Sequence, residues 1–210
     1  MVATQTNTNK DRNTTKIWRI VAKLIRVLTI PPLLVSALAV LLYIRVPEMF
    51  RGIGDLLALI TALAIVPTLA YPIQPLIPKF RGRGRAGQRT LAFITSVIGY
   101  VGGFLFSLIA DITEELRIVF IVYFLSLLIL VAFNRYSEHH ASGHACGLMG
   151  PPLFAIYCLG LAWLLPCVLL GVAVVWSSLY LKRHTARELI LGAMCSALAF
   201  SLVVCIRLFL

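Results

Sequence analysis

The side chains best suited to chemistry in this sequence are its four histidines, His139, His140, His144 and His184. Imidazole alone exchanges a proton near neutral pH without help from its surroundings. His144 stands in Ala141-Ser142-Gly143-His144-Ala145, at the opening of an apolar run. Ser142 there reads as a helix cap, and the unpaired amides and dipole of a helix start favour an anion such as phosphate. His184 stands in Lys182-Arg183-His184-Thr185-Ala186-Arg187-Glu188, beside two cations and four residues before a carboxylate. Such a carboxylate holds one ring nitrogen protonated and leaves the other free to attack an electrophile. Thr185-Ala186-Arg187-Glu188 reads equally as a capping box, so Glu188 has two candidate roles.

The elements that must position these groups are membrane helices. Of 210 residues, 60% are apolar and 13% charged, and the mean hydropathy of +0.94 excludes a soluble globular domain. Apolar runs long enough to cross about 30 Å of hydrocarbon fall near 25–44, 54–77, 90–110, 116–133, 144–160, 163–181 and 187–209. Backbone groups cannot stay unpaired in lipid, so the expected fold is all-α, a polytopic transmembrane helix bundle of about six to seven spans. Residues 1–20 are expected to form a disordered basic N-terminal tail without a signal-peptide cleavage pattern, and residues 21–210 a single helical domain. The five cysteines lie in or beside apolar runs without a C-x-x-C pair and read as buried packing residues.

Alternating the spans puts the tail and the 78–89, 134–143 and 182–186 loops on one side. That side collects fifteen of the nineteen Lys and Arg and three of the eight Asp and Glu, for a net +12 against −1 opposite. All four histidines share it. The bias predicts an integral, multi-pass protein of the cell membrane with its N-terminus and basic side in the cytoplasm. Confinement of the cations to short loops points to lipid headgroups or phosphates as partners, and no nucleic acid.

At Ser142-Gly143-His144 and at Ser177, His184 and Glu188, the chain resembles the type 2 phosphatidic acid phosphatase superfamily of membrane lipid phosphatases. That family carries a Lys, six residues, Arg-Pro motif, then Pro-Ser-Gly-His, then Ser-Arg, five residues, His, three residues, Asp. Here Ala141 replaces the proline, Ser178 the arginine and Glu188 the aspartate, and the 79–89 loop lacks the first motif's spacing. Two apolar spans separate the two matching motifs, as in the family. The resemblance implies metal-independent hydrolysis of a lipid phosphate or polyprenyl diphosphate, with no cofactor and no metal ligand. His184 would attack phosphorus, His144 would protonate the leaving group, and Glu188 would orient His184. Ser142 and the Gly143 amide would bind phosphate oxygens, with cations drawn from Arg135, Lys182, Arg183, Lys79, Arg81, Arg85 and Arg89. The loop arginines read equally as topology determinants and headgroup anchors.

Two other readings stay open. His140 and His144 are four apart with His139 and Cys146 close by, a spacing compatible with a soft-metal site or a metal transporter. Against transport, no span carries a carboxylate or histidine at its middle. A non-catalytic relative would equally tolerate Ser178 and the missing first motif.

Overall fold

The computed structural model describes the backbone of residues 3–209 and the side chains of 16–208. Among the described residues every regular element is helical. α1 (Ala3–Leu28) runs through most of the segment expected to be disordered, with Met1 and Val2 outside the described residues. Its described side chains explain the helix from Lys16 onward. Ile17, Ile20, Val21, Leu24, Ile25 and Leu28 recur at helical spacing, with Arg19, Lys23 and Arg26 between them. Trp18 packs edge-on against Trp176 at 5.8 Å.

α2 (Pro31–Arg45) begins on two prolines at its first helical positions, where a fixed φ suits the helix and the missing N–H costs nothing. Pro31 and Pro32 cannot continue α1, so the two helices meet at 56°. α3 is the run Ile53–Leu76, interrupted by a π stretch at Thr61–Ile65 just before Pro67. A π turn is a common response to an interrupted hydrogen-bond ladder. Here Gly99 approaches the Ala62 carbonyl too closely for any Cβ, and Thr95 Oγ1 donates to Pro67 O at 3.0 Å. α3 is thereby pinned to α4 (Gly84–Ile109).

α5 (Glu114–Tyr136) is capped by Thr113, whose Oγ1 accepts from Leu116 N at 3.3 Å and donates to Met49 O at 2.6 Å. α6 (Gly143–Leu159) is capped by Ser142 and contains Pro151 and Pro152. A turn at Leu161–Trp163 leads into α7 (Leu164–Tyr180), and α8 (Ala186–Phe209) closes the chain. Five helices are long and apolar enough to cross a membrane, or six if the bent α1–α2 pair is one span. The expected six to seven overlaps this range at six, and the apolar run outside it is α6, at 17 residues about 26 Å long at 1.5 Å per residue.

The interior is held by Phe120, Phe154, Leu42, Met49, Leu63 and Leu116, all fully buried. Outward positions are apolar too, as with Ile98, Leu105, Leu165, Leu169, Val172 and Leu198. An apolar exterior around an equally apolar core is what a lipid solvent permits and water does not. Cys146 and Cys195 are buried as expected, whereas Cys205 is exposed on α8.

The loops sort to two ends. Gln74 Nε2 donates to Gly84 O at 2.8 Å. Asn134 bridges Ala141 through its amide, accepting from the backbone N–H at 2.7 Å and donating to the carbonyl at 3.1 Å. Ser142 N donates to Glu188 O at 2.9 Å. These contacts gather one end; at the other, Arg51 meets Asp111 and Arg207 meets Glu115.

Candidate functional site

The start of α6 and the start of α8 come together at the first of these ends. Ser142 Oγ accepts from Ala145 N at 3.3 Å, which ends the loop and places His144 in the first turn of α6. Thr185 Oγ1 accepts from Glu188 N at 3.2 Å, and Glu188 Oε2 accepts from Thr185 N at 3.3 Å. This is a reciprocal capping box. The same Oε2 also accepts from His184 Nδ1 at 3.1 Å. Glu188 therefore fills both roles that its position in the sequence allows. One lone pair caps the helix while another fixes the imidazole, leaving Nε2 of His184 as the ring nitrogen without a carboxylate.

Gly192 makes the approach of the two helix starts possible. A Cβ there would collide with the Ser142 carbonyl and touch the Ala145 side chain. With hydrogen at that position, α8 lies close enough for Glu188 O to receive the Ser142 amide. The rings of His144 and His184 end 6.3 Å apart with planes 9° from parallel. Neither imidazole hydrogen-bonds the other at this separation.

Both rings line a cavity of about 640 Å³ that descends between α2, α3, α4, α5 and α6. Three guanidinium groups reach its wall from three different elements: Arg26 from α1, Arg89 from α4 and Arg183 from the α7–α8 loop. Among the described residues Glu188 is the only carboxylate in the lining. Deeper in, Tyr100, Tyr123 and Ser126 stand among Leu127, Leu130 and the prolines of α2 and α3. Among the described residues four buried side-chain polar atoms lack a hydrogen-bond partner, and three of them, Arg26 Nη1, His144 Nε2 and Tyr123 Oη, belong to residues of this wall. Native structures rarely leave such groups unpaired.

His144 lies outside the candidate spans. Burial, then the charges of Arg26 and His184, push its pKa down to about 4, so its imidazole is neutral at pH 7. A phosphate dianion bound beside Arg26 would oppose these effects and favour the imidazolium.

Of the residues singled out in the sequence, the cavity gathers Ser142, Gly143, His144, His184, Glu188, Arg89 and Arg183. Arg135, Lys79, Arg81 and Arg85 are exposed and outside its lining, and Lys182 belongs to a neighbouring groove. Phe80 explains the 79–85 segment. Its ring is buried against Ala70 and Leu91, so the loop closes over it and the flanking cations face outward. Arg135 sits in the exposed last turn of α5. At the position where the resembled family has an arginine, Ser178 is fully buried with an unpaired hydroxyl. Its carbonyl accepts from Arg183 N at 3.0 Å, so Arg183, which lines the cavity, is tied to residue 178 through the backbone. Arg26 had no distinguishing signal in the sequence beyond the basic periodicity of its helix.

His140 lines the cavity, but the metal reading of His139, His140 and His144 does not assemble. Among the described residues no three His, Cys, Asp or Glu side chains come together in a way that holds a metal ion. Compared with known protein families, curated proteins and solved structures, the chain matches none. The cavity's geometry is therefore the ground for a functional reading.

Proposed function

We propose that this protein is a membrane phosphatase that hydrolyses a lipid phosphate or diphosphate through a phosphohistidine, with its site at the basic end of the bundle. The observation that carries the reading is the pairing of His144 and His184 across a cavity walled by Arg26, Arg89 and Arg183. Three cations and a single carboxylate make a site for an anion with several oxygens. A divalent metal would ask for more than one carboxylate.

With phosphate oxygens held by the arginines and by amides at the start of α6, Nε2 of His184 attacks phosphorus while Glu188 retains the proton on Nδ1. The bond from phosphorus to the ester or bridging oxygen breaks as the N–P bond forms, and His144 donates its proton to the departing oxygen. His144, now neutral, takes a proton from water as that water attacks phosphorus. The N–P bond breaks, inorganic phosphate forms, and His184 recovers its lone pair. The arginines stabilise charge redistributed over the equatorial oxygens, the dominant form of catalysis in phosphoryl transfer. The polar mouth and apolar depth suit a substrate whose headgroup is hydrated and whose tail is not. Positive charge at this end favours the cytoplasmic face of a cell membrane.

Purified protein presented with a panel of lipid phosphates tests the proposal. Release of phosphate that persists in chelator, disappears in His184→Ala and passes through an acid-labile, base-stable phosphoprotein supports it. Full activity in His184→Ala overturns the assigned nucleophile, and inactivity on every lipid phosphate and diphosphate overturns the proposal.

A further inference from the structure

A second basic volume of about 560 Å³ lies beside the first, between α1 and the end of α7. Arg19, Lys23, Arg26, Lys182 and Arg183 line it, and among the described residues no carboxylate does. Among the described residues none of the five makes an ion pair with a carboxylate. Arg26 and Arg183 line both volumes, so the groove and the catalytic cavity meet across two shared guanidinium groups. Each guanidinium has five donors in a planar fork, enough to serve an oxygen on either side at once. Lys182 adds a conformational signal. Among the described residues it is the only non-glycine with positive φ, at 50°, and its backbone N–H bonds Leu179 O at 2.9 Å as α7 ends. Glycine is the ordinary residue at such a helix end. A lysine there accepts backbone strain to place a fifth cation on the groove.

We propose that this groove is a second anion subsite, which holds a further phosphate group of the same lipid headgroup while the first lies between His144 and His184. The substrate class is then a lipid with two phosphate groups close together, as in a diphosphate or a phosphate monoester next to a phosphodiester. This rests on the phosphatase reading for what happens to the first phosphate, but the binding claim is separately testable. Mutual repulsion among five cations is relieved most by a ligand whose charge spans both volumes. A monophosphate lipid neutralises only the cavity side.

Trp176 stacks on Tyr180 at 5.4 Å, and Tyr180 lines the groove, so tryptophan fluorescence reports occupancy without turnover. In neutral detergent, full-length protein titrated with inorganic pyrophosphate and with orthophosphate is expected to bind pyrophosphate at least tenfold more tightly. The Arg19→Gln/Lys23→Gln double variant should reduce that preference to about twofold or less while orthophosphate affinity stays put. Circular dichroism confirms that the variant keeps its helices, and Lys182→Asn, which tolerates positive φ, repeats the test from the other wall. Equal affinities in the wild type overturn the subsite, as does a variant that weakens both anions alike. Loss of the preference in nanodiscs containing an anionic diacyl lipid with one phosphodiester assigns the groove to bulk headgroups and also overturns it. A retained pyrophosphate preference with no hydrolysis of any lipid phosphate upholds the subsite and removes the phosphatase.

Discussion

The two ends of the bundle treat charge in opposite ways. At the end away from the histidines, Arg51 pairs with Asp111, Arg117 with Glu114, and Arg207 with Glu115 at 2.6 Å. Arg207 also donates to the Tyr157 hydroxyl at 3.2 Å, and Arg117 Nε to Ser107 O at 2.9 Å. Each of these three cations ties one helix end to another or to its own first turn, whereas Arg45, exposed at the end of α2, makes no ion pair among the described residues. At the histidine end Arg26, Arg89 and Arg183 converge, among the described residues, without a carboxylate partner, and the one carboxylate of the lining is taken by His184 and a capping amide. Paired charges organise loops. Converging unpaired charges repel, and they persist in a fold when an external anion uses them. Under the proposed function the contrast separates residues that hold structure from residues that hold a ligand.

The sharpest way to break that contrast is to remove the imidazoles. His184→Ala should abolish phosphate release, and His144→Ala should lower kcat about 10²- to 10⁴-fold, the usual worth of a general acid. Thermal unfolding of both variants should stay near that of the wild type. If His144→Ala leaves kcat within threefold, the ring opposite His184 is structural and the leaving group is protonated from elsewhere.

Next come the converging cations. Arg26→Gln, Arg89→Gln and Arg183→Gln should each lower kcat/KM on a lipid phosphate by roughly 10²- to 10³-fold, as losses of donors to a charged transition state do. Arg135→Gln and Arg81→Gln, at exposed positions outside the cavity, should change it less than threefold. The sign of the stability change is a further test. Removing Arg26 relieves repulsion from its neighbours, so the unliganded Arg26→Gln protein should melt no lower than the wild type, in contrast to loss of a paired arginine at the far end. A clear fall in its melting temperature would mean that Arg26 has a structural partner.

Gly192 sharpens the comparison from the packing side. Gly192→Ala forces α8 away from the Ser142 carbonyl, at a cost of about 1–3 kcal/mol for overpacking, and should reduce activity beyond what lost stability explains. Gly171 on α7 has open space at the same test. Gly171→Ala should leave activity unchanged and gain a few tenths of a kcal/mol from helix propensity. Equal behaviour of the two would show that the contact between α6 and α8 does not set the site.

How far the sequence reaches follows from which contacts are local. Ser142 before His144 and Glu188 four residues after His184 are relations within one helical turn, so spacing alone suggests the cap, the capping box and the imidazole partner. The all-helical architecture follows from backbone satisfaction in long apolar runs. Arg26 is different in kind, because it reaches the cavity only through the 56° bend at Pro31 and Pro32 and the packing of Trp18 on Trp176. A sequence shows that two prolines break a helix but not where the broken piece turns. The 79–85 cations mislead for the same reason. Their number marks a basic loop, while the burial of Phe80, a tertiary contact, turns them outward. Tyr123 carries no local signal at all, and its hydroxyl comes to the cavity because Gly150 on α6 leaves room for it.

The smallest expected effects lie at the far end. Arg207 and Glu115 are each more than a third exposed, and pairs in that setting contribute about 0–1 kcal/mol. Arg207→Gln should therefore lower the melting temperature by no more than a few degrees and leave kcat/KM within twofold. The charge-swapped Arg207→Glu/Glu115→Arg pair should recover most of what either single swap loses. Those outcomes would establish that the far end is held by replaceable pairing. A hundredfold loss of activity in Arg207→Gln would contradict the division between the two ends, because it would require the apolar length of α8 to transmit a surface charge to Glu188 and His184.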